Sequence, residues 1–182
     1  VSFIEDCAVE LKDLAEYTDG LNKIFDKHNV KGTWYAHASV GCLHVRPVLN
    51  MKIQDDIKKM RNIANETSAL VKKFNGSYSG EHGDGIARSE FNEVMFGKKM
   101  IRIFKFIKNS FDPLNIFNPG KIVDAPKLDS RNLFRYAPSY NAQNISTILD
   151  WSAWTGASGG FQGAIEMCNN NGSCRKLDGG VM

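Results

Sequence analysis

Three features of this 182-residue chain predict an α+β fold: an antiparallel sheet with helices packed on one face, then a helical and irregular C-terminal extension. Residues 33–49 are rich in β-branched and aromatic side chains around Val40-Gly41, as in a β-hairpin. Two stripes of apolar residues at steps of three and four, over 4–29 and 53–74, flank that hairpin as helices. Beyond residue 123 such periodicity fades.

The first stripe runs Ile4, Cys7, Leu11, Leu14, Thr18, Leu21 and Phe25, with Gly20 as a weak point where a break is expected. Folding the hairpin about Val40-Gly41 pairs residues whose numbers sum to 81. Trp34 then faces Pro47, Ala36 faces Val45 and Ala38 faces Leu43, making one apolar face. The other face carries Tyr35 with Arg46, and His37 directly opposite His44. The second helix has its stripe at Ile53, Ile57, Met60, Ala64, Thr67, Val71 and Phe74. Gly76–Gly85 is too glycine-dense for a regular element and reads as loop. A third helix is expected over 98–110, ended by Asp112-Pro113, and Asn118-Pro119-Gly120 reads as a turn. Residues 124–155 read as a connector. Gly156 to Cys174 reads as a glycine-rich turn, a short helix and a cysteine loop.

Composition narrows the function classes. The chain is 42% hydrophobic and 24% charged, as ordinary globular chains are, which excludes a disordered acidic tail. Twenty-three Lys and Arg against 20 Asp and Glu leave +3, too little to argue for nucleic acid. No apolar run approaches the roughly 18 residues of a membrane helix. Cys7, Cys42, Cys168 and Cys174 do not make a disulfide framework, so a reducing cytoplasmic setting is expected. The first residues read as an acidic amphipathic helix rather than a signal peptide. Val1 and the end at Gly179-Gly180-Val181-Met182 suggest a piece of a longer polypeptide.

The chemistry lies in the histidines. Cross-strand neighbours have Cβ atoms about 4.5–5.5 Å apart, so His37 and His44 can share one metal ion. Alone, a His pair is a weak signal, and two partly exposed strand residues satisfy it as well. Gly80-Glu81-His82-Gly83-Asp84-Gly85 adds a carboxylate and an imidazole on a loop. With Glu81, the pair forms an open N2O site of catalytic type. His82, next in sequence, should point away from Glu81 and is available as a base. A polar, glycine-rich surface turn is the alternative.

The order H-x6-H-x-R, a helix, G-E-H-G-D-G-x-x-R and F-D-P-x-x-x-F-N-P-G-K resembles the C-terminal substrate (cap) domain of flavin-linked 2-hydroxyacid oxidoreductases. These are the D-lactate, glycolate and D-2-hydroxyglutarate dehydrogenases of the vanillyl-alcohol-oxidase type. The resemblance covers about residues 1–123 and implies a ferredoxin-like sheet-and-helix domain. It implies that His37, His44 and Glu81 bind zinc or manganese, that His82 is the base, and that Asn118 lies near FAD. Many members have asparagine where this chain has Arg46. Arg46 shares the face of His44, where a guanidinium can grip a substrate carboxylate, an edge salt bridge being the alternative. Arg88 reads as a solvent-facing or salt-bridged residue.

In that family the flavin domain precedes this half, so the 182 residues are expected neither to hold FAD firmly nor to turn over. Cys168 and Cys174 resemble the opening of an iron–sulfur region in long fused members. They supply two of the four thiolates a [4Fe–4S] cluster needs; two ordinary reduced cysteines are the other reading. The implied partners are a small 2-hydroxy acid and an electron acceptor such as a quinone or carrier protein. The implied location is the cytoplasm or the periphery of the inner membrane. Two other functions fit the histidine pattern: a non-catalytic metal-binding module with every position filled by protein, and a metal-dependent hydrolase working without flavin.

Overall fold

The computed structural model describes residues 1–137, 140–141, 143–154 and 159–171, with side chains described through Glu166. Two compact units divide the chain, Val1–Pro138 and Ser139–Met182. The first holds a three-stranded antiparallel sheet in the order β1-β3-β2. β1 is Cys7–Ala8, β2 is Gly32–His37 and β3 is Cys42–Pro47. Helix α1, Leu14–Lys27, joins β1 to β2 across the central strand, and α2, Gln54–Lys73, follows the hairpin. After α2 the chain returns to the free edge of β1, where Ala8 and Ser77 exchange backbone hydrogen bonds of 2.9 and 2.8 Å.

The α+β class is as the sequence predicts, but its first element is not. Residues 4–10 are not helical, and Leu11–Asp13 is a short 3-10 turn. Phe3, Ile4, Cys7 and Val9 are buried, and Cys7 and Ala8 pair with Leu43 and Cys42. The three- and four-residue steps of Ile4, Cys7 and Leu11 imitate a helix. Pairing with a strand 35 residues away, invisible to local periodicity, decides otherwise. From Leu14 onward the stripe is real, and Tyr17, Leu21, Ile24 and Phe25 are buried. Gly20 does not break α1: a Cβ there would lie 2.8 Å from Leu70 Cδ2, so its absence lets α2 pack close. The α2 stripe buries Ile57, Met60, Ile63, Ala64, Thr67 and Val71 in the same core.

The hairpin register also differs. Its pairs sum to 79, so that Trp34 faces Val45, Tyr35 faces His44, Ala36 faces Leu43 and His37 faces Cys42. The turn is Ala38–Val40 followed by Gly41 at φ 69°. A side chain at Gly41 would strike the Val9 carbonyl, since its Cβ would lie 1.9 Å from that oxygen. A slip of two residues preserves strand parity, so the strand residues keep their predicted faces, while Ala38, expected opposite Leu43, falls in the turn. His37 and His44 are therefore diagonal rather than directly opposite. β2 is an exposed edge, where Trp34 leans on Phe25 with ring centroids 5.6 Å apart.

After the glycine-rich loop come α3, Gly85–Arg88, and α4, Asn92–Phe111. α4 starts earlier than the predicted third helix and contains a non-helical Gly97 (φ 79°, ψ 161°). Its end before Asp112-Pro113 is as expected. Phe106, Phe111, Leu114, Ile116 and Phe117 are all largely exposed on and after it. Arg61 of α2 pairs with Glu90 and, at 2.5 Å, with Asp129, tying the 124–137 segment to the core. There Leu128 is buried and Phe134 packs against the core.

In the second unit α5 spans Gly160–Asn171. Cys168 thus lies on helical backbone rather than in a loop, and Cys174 lies outside the described residues. Trp151 packs on Phe161 at 5.1 Å.

Candidate metal and active site

β3 is paired on both sides, so His44 is held on a central strand with 2% of its surface exposed. His37, at the end of edge strand β2, and Glu81 and His82, on the loop after Ser79, are all partly open to solvent. These four residues converge. The Nε2 atoms of His44, His82 and His37 lie 2.9, 3.2 and 3.5 Å from the same oxygen, Glu81 Oε1. Tyr35 stacks on His44 at 4.6 Å and 18°. His37 meets His44 edge-on at 4.9 Å. The sequence pattern has His82 pointing away from Glu81. Instead its ring folds back, because the loop is not extended there.

Buried charge shapes that loop. Asp6, fully buried just before β1 at φ 64°, accepts the backbone N–H groups of Glu81 at 2.9 Å and His82 at 2.6 Å. Its other oxygen pairs with Arg88. Arg88, read from the sequence as solvent-facing or salt-bridged, is buried and salt-bridged. Its guanidinium also donates to the carbonyls of Glu5 and Gly83. Burial lowers the Arg88 pKa, with Glu5 partly opposing.

Glu5 stands behind His44. Burial alone would raise its carboxyl, but hydrogen bonds from Arg46, Ser2 and Tyr35 outweigh that and hold it at about 2. Arg46 donates from Nε at 3.1 Å and Nη2 at 2.6 Å, and its guanidinium lies over the Tyr35 ring. Arg46 thus makes the edge salt bridge while staying 47% exposed at the site's rim. Cys42 lies across the strand from His37, its thiol pKa raised by burial and by the Glu81 charge. Burial also raises Asp84, against a hydrogen bond from Asn92.

Whether these residues suit a cation follows from the donor set. A neutral imidazole has one N–H to give. His44 has carboxylates beyond both ring nitrogens, Glu81 at 2.9 Å from Nε2 and Glu5 at 3.8 Å from Nδ1. Its Nδ1 is buried with no hydrogen-bond partner among the described residues. One proton cannot serve both sides. A cation held by His37, His44 and Glu81 would free the His44 proton for Glu5. One ligand atom each of His37, His44 and Glu81 lies within 4.8 Å of the other two, compact enough to share such an ion.

Asn118 is not part of this cluster. At φ 47° in the turn after α4, it lines a groove of about 560 Å³ with Gly83, Asp84, Phe104, Ile107 and Lys121. Lys121 donates to its Oδ1 at 3.2 Å. Asp112 shapes that turn by accepting the N–H groups of Ile116 and Phe117, both at 2.9 Å. Sequence reasoning missed Glu5 and Asp6 as parts of the site, having assigned both to a helix. The acidic pair itself was the available signal.

An α+β domain carrying an open histidine–carboxylate cluster is the class that fold and site define. The family model for FAD linked oxidases, C-terminal domain, matches residues 1–122, and the chain belongs to that family. It is 33% identical over 179 residues to D-2-hydroxyglutarate dehydrogenase of Haemophilus influenzae, covering 98% of this chain and 17% of that protein. The D-2-hydroxyglutarate dehydrogenase of Escherichia coli is 32% identical with the same coverage. Glycolate oxidase subunit GlcD of Bacillus subtilis is 28% identical over 121 residues, 66% of this chain and 26% of that subunit. The chain thus spans about a sixth of the D-2-hydroxyglutarate dehydrogenases it matches. Those matches reach through the C-terminal extension, whereas the GlcD match covers two thirds of the chain. Among the described residues no helix is long and apolar enough to cross a membrane.

Proposed function

We propose that residues 1–123 form the substrate- and metal-bearing part of a flavin-dependent dehydrogenase that oxidises a D-2-hydroxy acid to a 2-oxo acid. The observation that carries this reading is the convergence of His37, His44 and His82 on one oxygen of Glu81. His37, His44 and Glu81 would hold a zinc or manganese ion, their N2O set leaving a position for substrate. Bound there, such an ion lowers the pKa of an α-hydroxyl and orients it. FAD, held mainly by the part of the protein outside this chain, supplies the two-electron acceptor. The Asn118 groove, with Phe104 and Ile107 as apolar wall and Lys121 beside the amide, suits the edge of a flat heteroaromatic ring.

A flavin bound beside the substrate would accept the hydrogen and the electron pair of the broken C2–H bond as hydride. The O–H electron pair becomes the second C–O bond, and the proton passes to Nε2 of His82. His82 suits that role because its ring is accessible and Asp6 fixes its backbone. Arg46, held in place by Glu5, grips a second substrate carboxylate, which favours a diacid such as 2-hydroxyglutarate. The relatives' names support that substrate class. Residues 124–155 serve as connector, and 156–182 open an iron–sulfur region through Cys168 and Cys174, passing electrons to a quinone or carrier protein. The match of the extension to the long D-2-hydroxyglutarate dehydrogenases supports this.

The test is flavin reduction in the full-length protein by D-2-hydroxyglutarate, D-lactate, glycolate and malate under anaerobic conditions. At least one should bleach the flavin, and His82→Ala should slow that step about 10²–10⁴-fold. Full turnover by His82→Ala would overturn the role of the base. Failure of every 2-hydroxy acid would overturn the substrate class.

A further inference from the structure

We infer that the adjacent carboxylates Glu5 and Asp6 act as a pair of orienting groups, one behind each of two working imidazoles: Glu5 behind His44 and Asp6 behind His82. The inference rests on the metal and base roles proposed above and deepens them.

In an extended strand, neighbouring side chains point to opposite faces. Glu5 and Asp6 precede β1, and Asp6 is left-handed at φ 64°, a conformation that aspartate tolerates better than most residues. That break in alternation brings both carboxylates to the same histidine cluster. Glu5 Oε1 is 3.8 Å from His44 Nδ1, and Asp6 Oδ2 is 3.8 Å from His82 Nδ1. The opposite nitrogen of each ring faces Glu81 Oε1, at 2.9 and 3.2 Å. Each imidazole therefore stands between a carboxylate at the working edge and a buried carboxylate behind.

At 3.8 Å neither Nδ1 is hydrogen-bonded to the carboxylate behind it, so the tautomer would be set by charge once a cation or a substrate takes the Nε2 side. With the proton on Nδ1, directed at Glu5, His44 presents the Nε2 lone pair to a cation. With the proton on Nδ1, directed at Asp6, His82 presents the Nε2 lone pair to a substrate hydroxyl. Carboxylates in this position raise the basicity of a ligating imidazole and fix its ring plane. Each carboxylate is itself anchored, Glu5 by Arg46 and Tyr35 and Asp6 by Arg88 and two backbone N–H groups. The two are positioning residues, acting through the rings they face.

The experiment uses the full-length protein with Glu5→Gln and Asp6→Asn, beside wild type and His37→Ala. Zinc affinity is read by chelator competition, the ligand field by the absorption of the Co2+-loaded protein, and the reaction by kcat and KM. Glu5→Gln should weaken zinc 10- to 100-fold and shift the Co2+ bands. Asp6→Asn should lower kcat 10- to 100-fold with KM changed less than threefold. Unchanged zinc affinity and Co2+ spectrum in Glu5→Gln, with only a lower Tm, overturns the orienting role while leaving the metal site standing. Wild type that binds zinc no better than His37→Ala overturns the metal reading, and this inference with it. If Asp6→Asn does not fold, Glu5→Gln decides, because Glu5 lies outside the Asp6–Arg88 ion pair.

Discussion

Asp6 and Arg88, 82 positions apart in sequence, form a buried ion pair directly beneath the loop that presents Glu81 and His82. The pair joins the turn before β1 to α3 and closes the loop at both ends, since Arg88 also holds the Gly83 carbonyl. Replacing Arg88 with Met strands a buried carboxylate without its counter-charge. Breaking such a pair costs about 3–5 kcal/mol. Urea denaturation of Arg88→Met should show a loss in that range, with the midpoint falling and the slope little changed.

Metal content gives a direct check on the cluster. Purified full-length protein should carry about one equivalent of zinc or manganese beyond any iron in clusters. The double variant His37→Ala/His44→Ala should lose it, since two of the three proposed ligands are gone. Elemental analysis of both proteins measures this, and equal metal in the two would remove the site.

The core and the outer face of α4 should respond in opposite ways. Ile63 is fully buried between the helices and the sheet, so Ile63→Ala should cost about 2–5 kcal/mol. Phe106 is 73% exposed, so Phe106→Ala should leave the Tm of this chain nearly unchanged while reducing its binding of an apolar dye.

The Asp129 carboxyl is held below its ordinary value of 3.8 by the hydrogen bond from Arg61, against a smaller effect of burial. A depressed carboxylate pKa contributes stability that is present above the unfolded value and fades as pH falls through the folded one. Wild type should therefore exceed Asp129→Asn in stability at pH 7. The gap should shrink as pH drops below about 4, as denaturant midpoints across pH 2–7 would show. A gap that persists unchanged at pH 2 would contradict the sign.

What could be read in the sequence was what periodicity encodes. The α2 stripe and the faces of the hairpin were legible, and the faces survived a register error because a slip of two keeps parity. β1 was hidden, since Cys7 and Ala8 are strand residues only because Leu43 and Cys42 receive them. The ring of His82 was misread for a related reason. Sequence adjacency to Glu81 suggests divergence, but two hydrogen bonds to Asp6, 76 and 75 positions away, bend the backbone so that both side chains meet. Convergence through buried long-range partners leaves no local signature. The residue types of the cluster were readable while its support was not.

The order β1-β3-β2 gives the two histidines unequal footing. His44 sits on the strand that β2 pairs along its length and β1 pairs at Cys42 and Leu43, whereas His37 ends a strand with one bare edge. Strand fraying begins at bare edges, so amide hydrogens around His37 should exchange with solvent well before those around His44. The cluster behaves as a vice with one fixed jaw and one yielding jaw. An ion bound as proposed would be released first by His37 and last by His44. The yielding side of the proposed site would thus be set by strand order rather than by any property of imidazole.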